Sequence, residues 1–287
     1  MSRPTSSTTI SAVSLVVETF DDIGVTRISR WIFNCYLVHD GGGGQPVVID
    51  PGLPGLVDDL VPVLSNLGLA ITDLEAIYAT HAHSDHVAGI QALAARSGAD
   101  VHLPVGSRPY FEGQSPRSPS VGAVASIWPA LLDQPFDRAG AVGAARGARL
   151  AGYGSSGPMR WPTETRPGFL VEGESLSGAP AWQVIATPGH TDDSVAFWHP
   201  QTRTLLSGDA VLSLNGRAWM TSETVDDDAH AKTEMRLRDL AVDHLLPGHG
   251  RPVHGEQLTA RAWAPKDAPK GSGVFASGLK RCFGRIP

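Results

Sequence analysis

The chain is 287 residues long, 41% hydrophobic and 18% charged, an ordinary globular balance whose length suits about two average domains or one large sandwich or barrel. A net charge of −6 and a pI near 6.0 exclude the dense Lys/Arg footprint that nucleic acid or an acidic membrane selects, and no run approaches the roughly 18 apolar residues of a membrane span. The two cysteines, Cys35 and Cys282, lie far apart without CxxC spacing, which excludes a disulfide framework and a thiolate zinc site.

Taken in chain order, residues 1–10 read as a flexible lead-in. The apolar piece that follows (Val13, Leu15, Val16, Val17) is closed by Glu18 and is too short for a signal peptide. A cytoplasmic protein is therefore expected, with a small molecule as partner and neither nucleic acid nor membrane. From Gly24 to Asp50, Val, Ile, Trp, Phe and Tyr bunch around the run Gly41 to Gly44, a hairpin signal. Leu56, Leu60, Val63, Leu64 and Leu67 then recur at helical spacing, with Gly68 where a C-terminal cap belongs.

One local pattern now repeats four times. An apolar strand-like run ends in a small loop that delivers a polar residue: Ala76 to Thr80 before His81, Trp182 to Thr187 before His190, Thr204 to Leu206 before Asp209, and Asp243 to Leu246 before His249. A rigid sheet fixes such an anchor while the loop frees the side chain, so strand ends are where chemistry concentrates. The densest delivery is Thr80-His81-Ala82-His83-Ser84-Asp85-His86, followed by Val87, Ile90, Leu93 and Ala94 at helical spacing. His81 and His83 can face one way and Asp85 and His86 the other. Imidazole and carboxylate suit zinc, and each pair needs further donors. His190, Asp209 and His249 supply them if the Asp209 carboxylate bridges two cations, with His190 completing one set and His249 the other. The remaining histidines (His39, His102, His199, His230, His244 and His254) are left as ordinary structural or surface residues.

Between about 104 and 180 the chain is dense in Pro, Gly and Ser yet carries Phe111, Ile127, Trp128, Leu131, Leu132, Phe136, Trp161 and Phe169. An irregular insertion is expected, serving as a lid or pocket wall. Val121 to Leu132 reads as a short amphipathic helix presenting Val124, Ile127, Trp128 and Leu131, and Trp128 and Phe136 are expected to touch the substrate. The residues from 256 to 287, with Lys266, Lys270, Lys280, Arg281 and Arg285, read as a solvated tail.

The motifs His81-Ala-His83-Ser-Asp85-His86, Gly189-His190-Thr191, Ser207-Gly208-Asp209 and Pro247-Gly248-His249-Gly250, in that order, resemble the metallo-β-lactamase-fold superfamily, nearest its glyoxalase II-like and lactonase-like hydrolases. The resemblance runs from about Ile23 to Val253. It implies an α/β (α+β) chain folded as a four-layer αββα sandwich over 11–255. It also implies two divalent metals at one edge of the sheets, zinc foremost with manganese, iron or cobalt as alternatives. His81, His83 and His190 would hold one, Asp85, His86 and His249 the other, and Asp209 would bridge. Asp85 and Asp209 are the expected catalytic carboxylates, and a hydroxide shared by the two metals, its pKa lowered toward roughly 7, would attack an ester, thioester or lactone carbonyl.

Departures from the family bear on substrate. No Cys lies near Asp209, against penicillin hydrolysis. The positions after Asp209 read Ala210-Val211-Leu212-Ser213, without the Tyr usual in homoserine-lactone hydrolases. Only a short segment follows Val253, where glyoxalase II enzymes carry a helical glutathione-binding domain. The rival activities within the fold are a mononuclear iron persulfide dioxygenase, disfavoured by the pairing of His86 with His249, and a phosphodiesterase or nuclease, disfavoured by the acidic balance. Oligomeric state is not legible in the sequence.

Overall fold

In the computed structural model, which describes residues 9–12, 15–40, 42–154 and 157–267, two β-sheets lie between helices. The first sheet carries β1 (Thr9–Ala12), β2 (Leu15–Phe20), β3 (Val25–Arg30), β4 (Phe33–Val38), β5 (Val47–Ile49), β6 (Ala76–Tyr78), β7 (Asp100–Pro104) and β8 (Gly168–Leu170), each paired with its sequence neighbour. Strands β1 to β5 run as antiparallel neighbours, and β5 to β8 as parallel ones. The second sheet is ordered β16-β15-β12-β11-β10-β9, with β9 (Ser175–Leu176), β10 (Ala179–Ala186), β11 (Val195–His199), β12 (Thr204–Gly208), β15 (His244–Pro247) and β16 (Val253–His254), while β13 (Val211–Leu214) and β14 (Arg217–Met220) form a separate hairpin.

The helices are α1 (Leu56–Asn66), α2 (Ser84–Val87), α3 (Ile90–Ser97), α4 (Arg108–Phe111), α5 (Val121–Ser126), α6 (Trp128–Leu131), α7 (Arg138–Gly147) and α8 (Asp227–Arg238). Alternation along the strands sorts side chains into layers, because successive residues face opposite sides of a sheet. On β4, Cys35 and Leu37 pack with Leu56, Leu60 and Leu64 of α1 and Leu93 of α3, whereas Tyr36 and Val38 meet Trp182, Val184 and Phe197 of the second sheet. The far face of that sheet sets Leu205 and Leu245 against Leu237 of α8. The layers are therefore helix, sheet, sheet, helix, the αββα sandwich expected. Both faces of the central strands are covered, which is why β4 is buried throughout.

Helix α1 stops where the sequence places its end, with Gly68 left-handed at φ 72° just beyond. Asp226 caps α8 by accepting from Ala229 N at 2.9 Å, and Asp227 and Asp228 in its first turn with Arg236 and Arg238 in its last complement the helix dipole.

Residues 104–180 are more ordered than their composition implies, forming α4 to α7 before β8 and β9 join the two sheets. The expected helix over Val121 to Leu132 divides into α5 and α6 around Ile127. Pro129 has no N–H to continue the first ladder, and the break turns Trp128 outward to 55% exposure. The start of the expected tail is packed: Trp263 N donates to Ala218 O at 3.0 Å, Met220 N donates to Trp263 O at 2.9 Å, and Thr259 is buried. Lys270, Lys280, Arg281, Cys282 and Arg285 lie outside the described residues. No helix among the described residues is long and apolar enough to cross a membrane.

Candidate metal centre

All seven residues singled out by pattern arrive at one end of the sandwich. The loop after β6 and the short helix α2 bring His81, His83, Asp85 and His86, and loops after β10, β12 and β15 bring His190, Asp209 and His249. The two sheets are tied at this end by Val195 N donating to Thr80 O at 2.8 Å, and the β12 and β15 loops by Gly248 N donating to Gly208 O at 2.8 Å.

The imidazole nitrogens and carboxylate oxygens converge in overlapping groups: His81 with His83 and His190, His81 with His86 and Asp209, and Asp85 with His86 and His249. His83 Nδ1 lies 3.0 Å from His81 Nε2 and 3.3 Å from His190 Nε2. Asp209 stands between the groups. Its Oδ2 is 3.5 Å from His190 Nε2 and 3.3 Å from His249 Nε2, and its Oδ1 is 3.6 Å from His86 Nε2. Asp85 Oδ2 is 3.2 Å from His249 Nε2.

The opposite ring nitrogens are held by hydrogen bonds that fix tautomer and orientation, as metal-binding imidazoles require. His190 Nδ1 donates to Glu223 O at 2.8 Å, and His249 Nδ1 donates to Ile32 O at 3.0 Å. Asp50 Oδ2 accepts from His86 Nδ1 at 3.0 Å and from the Thr80 hydroxyl at 2.8 Å, while Oδ1 accepts from Thr80 N at 2.7 Å. With its hydroxyl proton given to Asp50, Thr80 Oγ1 accepts from His81 Nδ1 at 3.1 Å. Each of these four rings therefore turns Nε2, with a free lone pair when neutral, toward Asp209. Asp193 accepts from Ala82 N at 2.9 Å and from the Tyr153 hydroxyl at 3.0 Å, bracing the first His loop against the insertion. Asn34 Nδ2 donates to Pro247 O and Gly250 O, both at 2.8 Å, and so anchors the His249 loop.

Electrostatics divide the histidines. Burial, then His86 and His83, push His81 well below its ordinary pKa, and burial with His190 pushes His83 down to about 3, so both rings keep a lone pair to donate. Burial opposes charge on His86 also, but Asp209 and Asp50 outweigh it and push that imidazole up to about 10; Asp209 and Asp85 lift His249 likewise. Those two imidazoles hold Asp209 below the usual carboxylate range against its burial.

The fit to divalent cations rests on this donor set. Buried His86 Nε2 and Asp209 Oδ1 make no hydrogen bond, a costly state for buried polar atoms, and both belong to the converging groups. Nitrogen and carboxylate donors in this mixture suit zinc, iron, manganese or cobalt. Above the groups lies a cavity of about 180 Å³ lined by Ile32, Ile127, Ala130, Leu212 and Glu223 as well as by four of the seven. The insertion thus supplies part of its wall, but through Ile127 and Ala130. Trp128 does not line it, and neither does Phe136, which packs edge-on to Trp31 at 5.0 Å.

Asp50, Asp193, Tyr153 and Glu223 were not anticipated. Asp50 alone left a signal, as a fifth apolar run, Val47 to Ile49, ending in a polar residue. Of the histidines set aside, none joins a converging group among the described residues: His102 stacks on Tyr78 at 5.1 Å, and His244 and His254 pair at 2.8 Å between their Nδ1 atoms.

The family model described as the Metallo-beta-lactamase superfamily matches residues 30–249. The chain is 25% identical over 257 residues to the probable metallo-hydrolase YflN of Bacillus subtilis, covering 82% of this chain and 87% of that protein. It is 27% identical over 180 residues to a hydroxyacylglutathione hydrolase of Cereibacter sphaeroides, a match that spans 62% of this chain but only 48% of that relative. Among solved structures, TTHA1623 in a di-iron-bound form aligns with a TM-score of 0.50 at 29% identity, covering 80% of this chain and 93% of that one.

Proposed function

Because the chain belongs to the metallo-β-lactamase superfamily, we propose that it is a binuclear metal hydrolase acting on a carbonyl ester, thioester or lactone. The observation that carries this reading is the pair of donor groups, His81/His83/His190 and Asp85/His86/His249, on either side of Asp209. When bound, two divalent cations supply an activated water at neutral pH and electrophilic polarisation of a carbonyl.

This chain's residues do the rest. The first three imidazoles would hold one cation and Asp85, His86 and His249 the second, with Asp209 between the two groups. Asp50, Thr80, Ile32 O and Glu223 O keep the rings of His86, His81, His249 and His190 turned to the site. Asp85 and Asp209, both carboxylates at the floor of the cavity, would accept a hydrogen bond from the attacking water and so orient it. Ile32, Ile127, Ala130 and Leu212 shield the reacting carbonyl from bulk water, which strengthens every charge interaction beneath them.

Zinc is the metal proposed, with iron a supported second choice since a similar protein is known in a di-iron-bound form. Asp85, His86 and His249 grouped together favour two cations over the single iron of a persulfide dioxygenase. A cavity without Lys or Arg in its lining disfavours a phosphodiester.

The test is a panel of thioesters, aryl esters and lactones assayed against protein of measured metal content, together with Asp209→Asn. Two metals per chain and hydrolysis abolished by chelator are expected, with Asp209→Asn reducing kcat at least ~100-fold, the scale of a lost catalytic charge. One iron per chain, with oxygen consumed on a persulfide and the panel untouched, overturns the reading.

A further inference from the structure

The cavity over the donor groups contains one charged side chain that the metal site does not account for. Its floor is His83, Asp85, Asp209 and His249, and its walls are apolar apart from Tyr153, whose hydroxyl is committed to Asp193, and Glu223. No Lys or Arg lines it, and no hydrogen bond reaches the Glu223 carboxylate among the described residues. A partly desolvated acid facing an apolar chamber is costly unless something pairs with it.

Its backbone is firmly held. Glu223 O accepts from His190 Nδ1 at 2.8 Å, Glu223 N donates to Thr221 Oγ1 at 3.3 Å, and the neighbouring Ser222 hydroxyl meets Ser126 on α5 at 2.6 Å. The fixed backbone keeps the Glu223 carboxylate within one side-chain length of the donor groups, in the cavity wall.

We propose that Glu223 is a specificity residue that pairs with a cationic group of the substrate, an ammonium lying a few bonds from the scissile carbonyl, and that substrates with an anionic group in that position are rejected. This rests on the carbonyl-hydrolase reading for the reaction, but the recognition itself is measurable as binding. An ammonium gains a carboxylate that no other side chain pairs with, and that ion pairing offsets the water it gives up on entering the chamber. A second carboxylate there meets Glu223 with no basic side chain to balance it.

The experiment uses isosteric pairs on the metal-loaded protein. Choline and 3,3-dimethylbutan-1-ol differ by a charge at constant shape, and neither nitrogen nor quaternary carbon can ligate a metal. Calorimetric titration should give choline the tighter binding by about tenfold or more. Acetylthiocholine should exceed 3,3-dimethylbutyl thioacetate in kcat/KM by a similar factor, and S-acetyl-3-mercaptopropionate should fall below both. In Glu223→Gln both ratios should collapse toward unity, and because each ratio is internal to one variant a partly folded preparation does not disturb it.

Ratios near unity in the wild type, or ratios that survive in Glu223→Gln, overturn the proposal, and loss of metal from that variant reassigns Glu223 as a ligand and overturns it too. If neither thioester is hydrolysed while choline keeps its Glu223-dependent preference, cation recognition stands and the hydrolase reading falls. If both thioesters are hydrolysed without that preference, the hydrolase reading stands and cation recognition by Glu223 falls.

Discussion

Asp50 shows how one side chain can orient several of the proposed ligands from outside the donor groups. Its two oxygens accept from Thr80 N, the Thr80 hydroxyl and His86 Nδ1, and the hydroxyl in turn orients His81. Every hydrogen bond at Asp50 thus needs an acceptor. Asn fits the volume and tolerates the left-handed backbone at φ 53°, but its amide N–H₂ must face one of these donors. Asp50→Asn is expected to weaken metal binding about 10- to 100-fold, the usual cost of a lost outer partner, with the fold intact. Competition with a chelator of known affinity measures it, and an affinity within twofold of wild type would remove Asp50 from the site. His190 and His249 rely instead on the backbone oxygens of Glu223 and Ile32, so their orientation is not open to side-chain substitution at all.

At the level of elements, the β15 loop passes so close to the centre that any Cβ at 248 would press on the donor groups. A Cβ there would lie 2.3 Å from Asp209 Oδ1 and 2.9 Å from His86 Cε1. Asp209 Oδ1 ends a side chain and can swing aside, so Gly248→Ala is expected to displace the carboxylate without unfolding the chain. Metal content should drop and hydrolysis fall at least ~100-fold while far-UV circular dichroism stays unchanged. Full metal content in this variant would contradict the placement of Asp209. The wall formed by α5 and α6 makes a contrasting prediction. Ile127→Ala opens the chamber and should improve bulky acyl groups relative to acetyl by roughly tenfold, the worth of about a methylene or two in a pocket, whereas exposed Trp128→Ala should leave that ratio alone. Equal losses for every substrate in Ile127→Ala would make the wall a folding element only.

These elements also mark what the sequence could disclose. The loops after β6, β10, β12 and β15 were legible because an apolar run followed by His or Asp is a local signal. The wall differs from its expected form at Trp128 and Phe136: amphipathic spacing puts Trp128 beside Ile127 and only the break at Pro129 separates them, while Phe136 packs on Trp31. Asp50 and Glu223 were hidden for different reasons. The role of Asp50 depends on the parallel pairing of β5 with β6, which is non-local, and Glu223 sits in an acidic stretch with Asp226, Asp227 and Asp228 that spacing cannot rank.

For the molecule as a whole, the centre draws on both sheets. His81, His83, Asp85 and His86 follow a strand of the first, and His190, Asp209 and His249 follow strands of the second. Cations bound as proposed would therefore cross-link the two halves of the sandwich. At free metal about 100-fold above its Kd this adds about 2.7 kcal/mol to folding, or roughly 5–10 °C in Tm for a chain of this size. The pH dependence has a definite sign. In metal-free protein His86 is raised from 6.5 to about 10, so the stability its protonated form draws from Asp209 and Asp50 is complete below about 6.5 and is lost as pH rises through about 10. Cations replace those protons, since imidazole must be neutral to ligate, and metal binding strengthens over the same interval. The gap in Tm between zinc-loaded and chelated protein should consequently widen from pH 6.5 to 8.5. Differential scanning calorimetry with and without chelator reads it directly. A gap that is absent, or that narrows as pH rises, would mean that His86 does not exchange a proton for a cation and that the second metal site is assigned to the wrong residues.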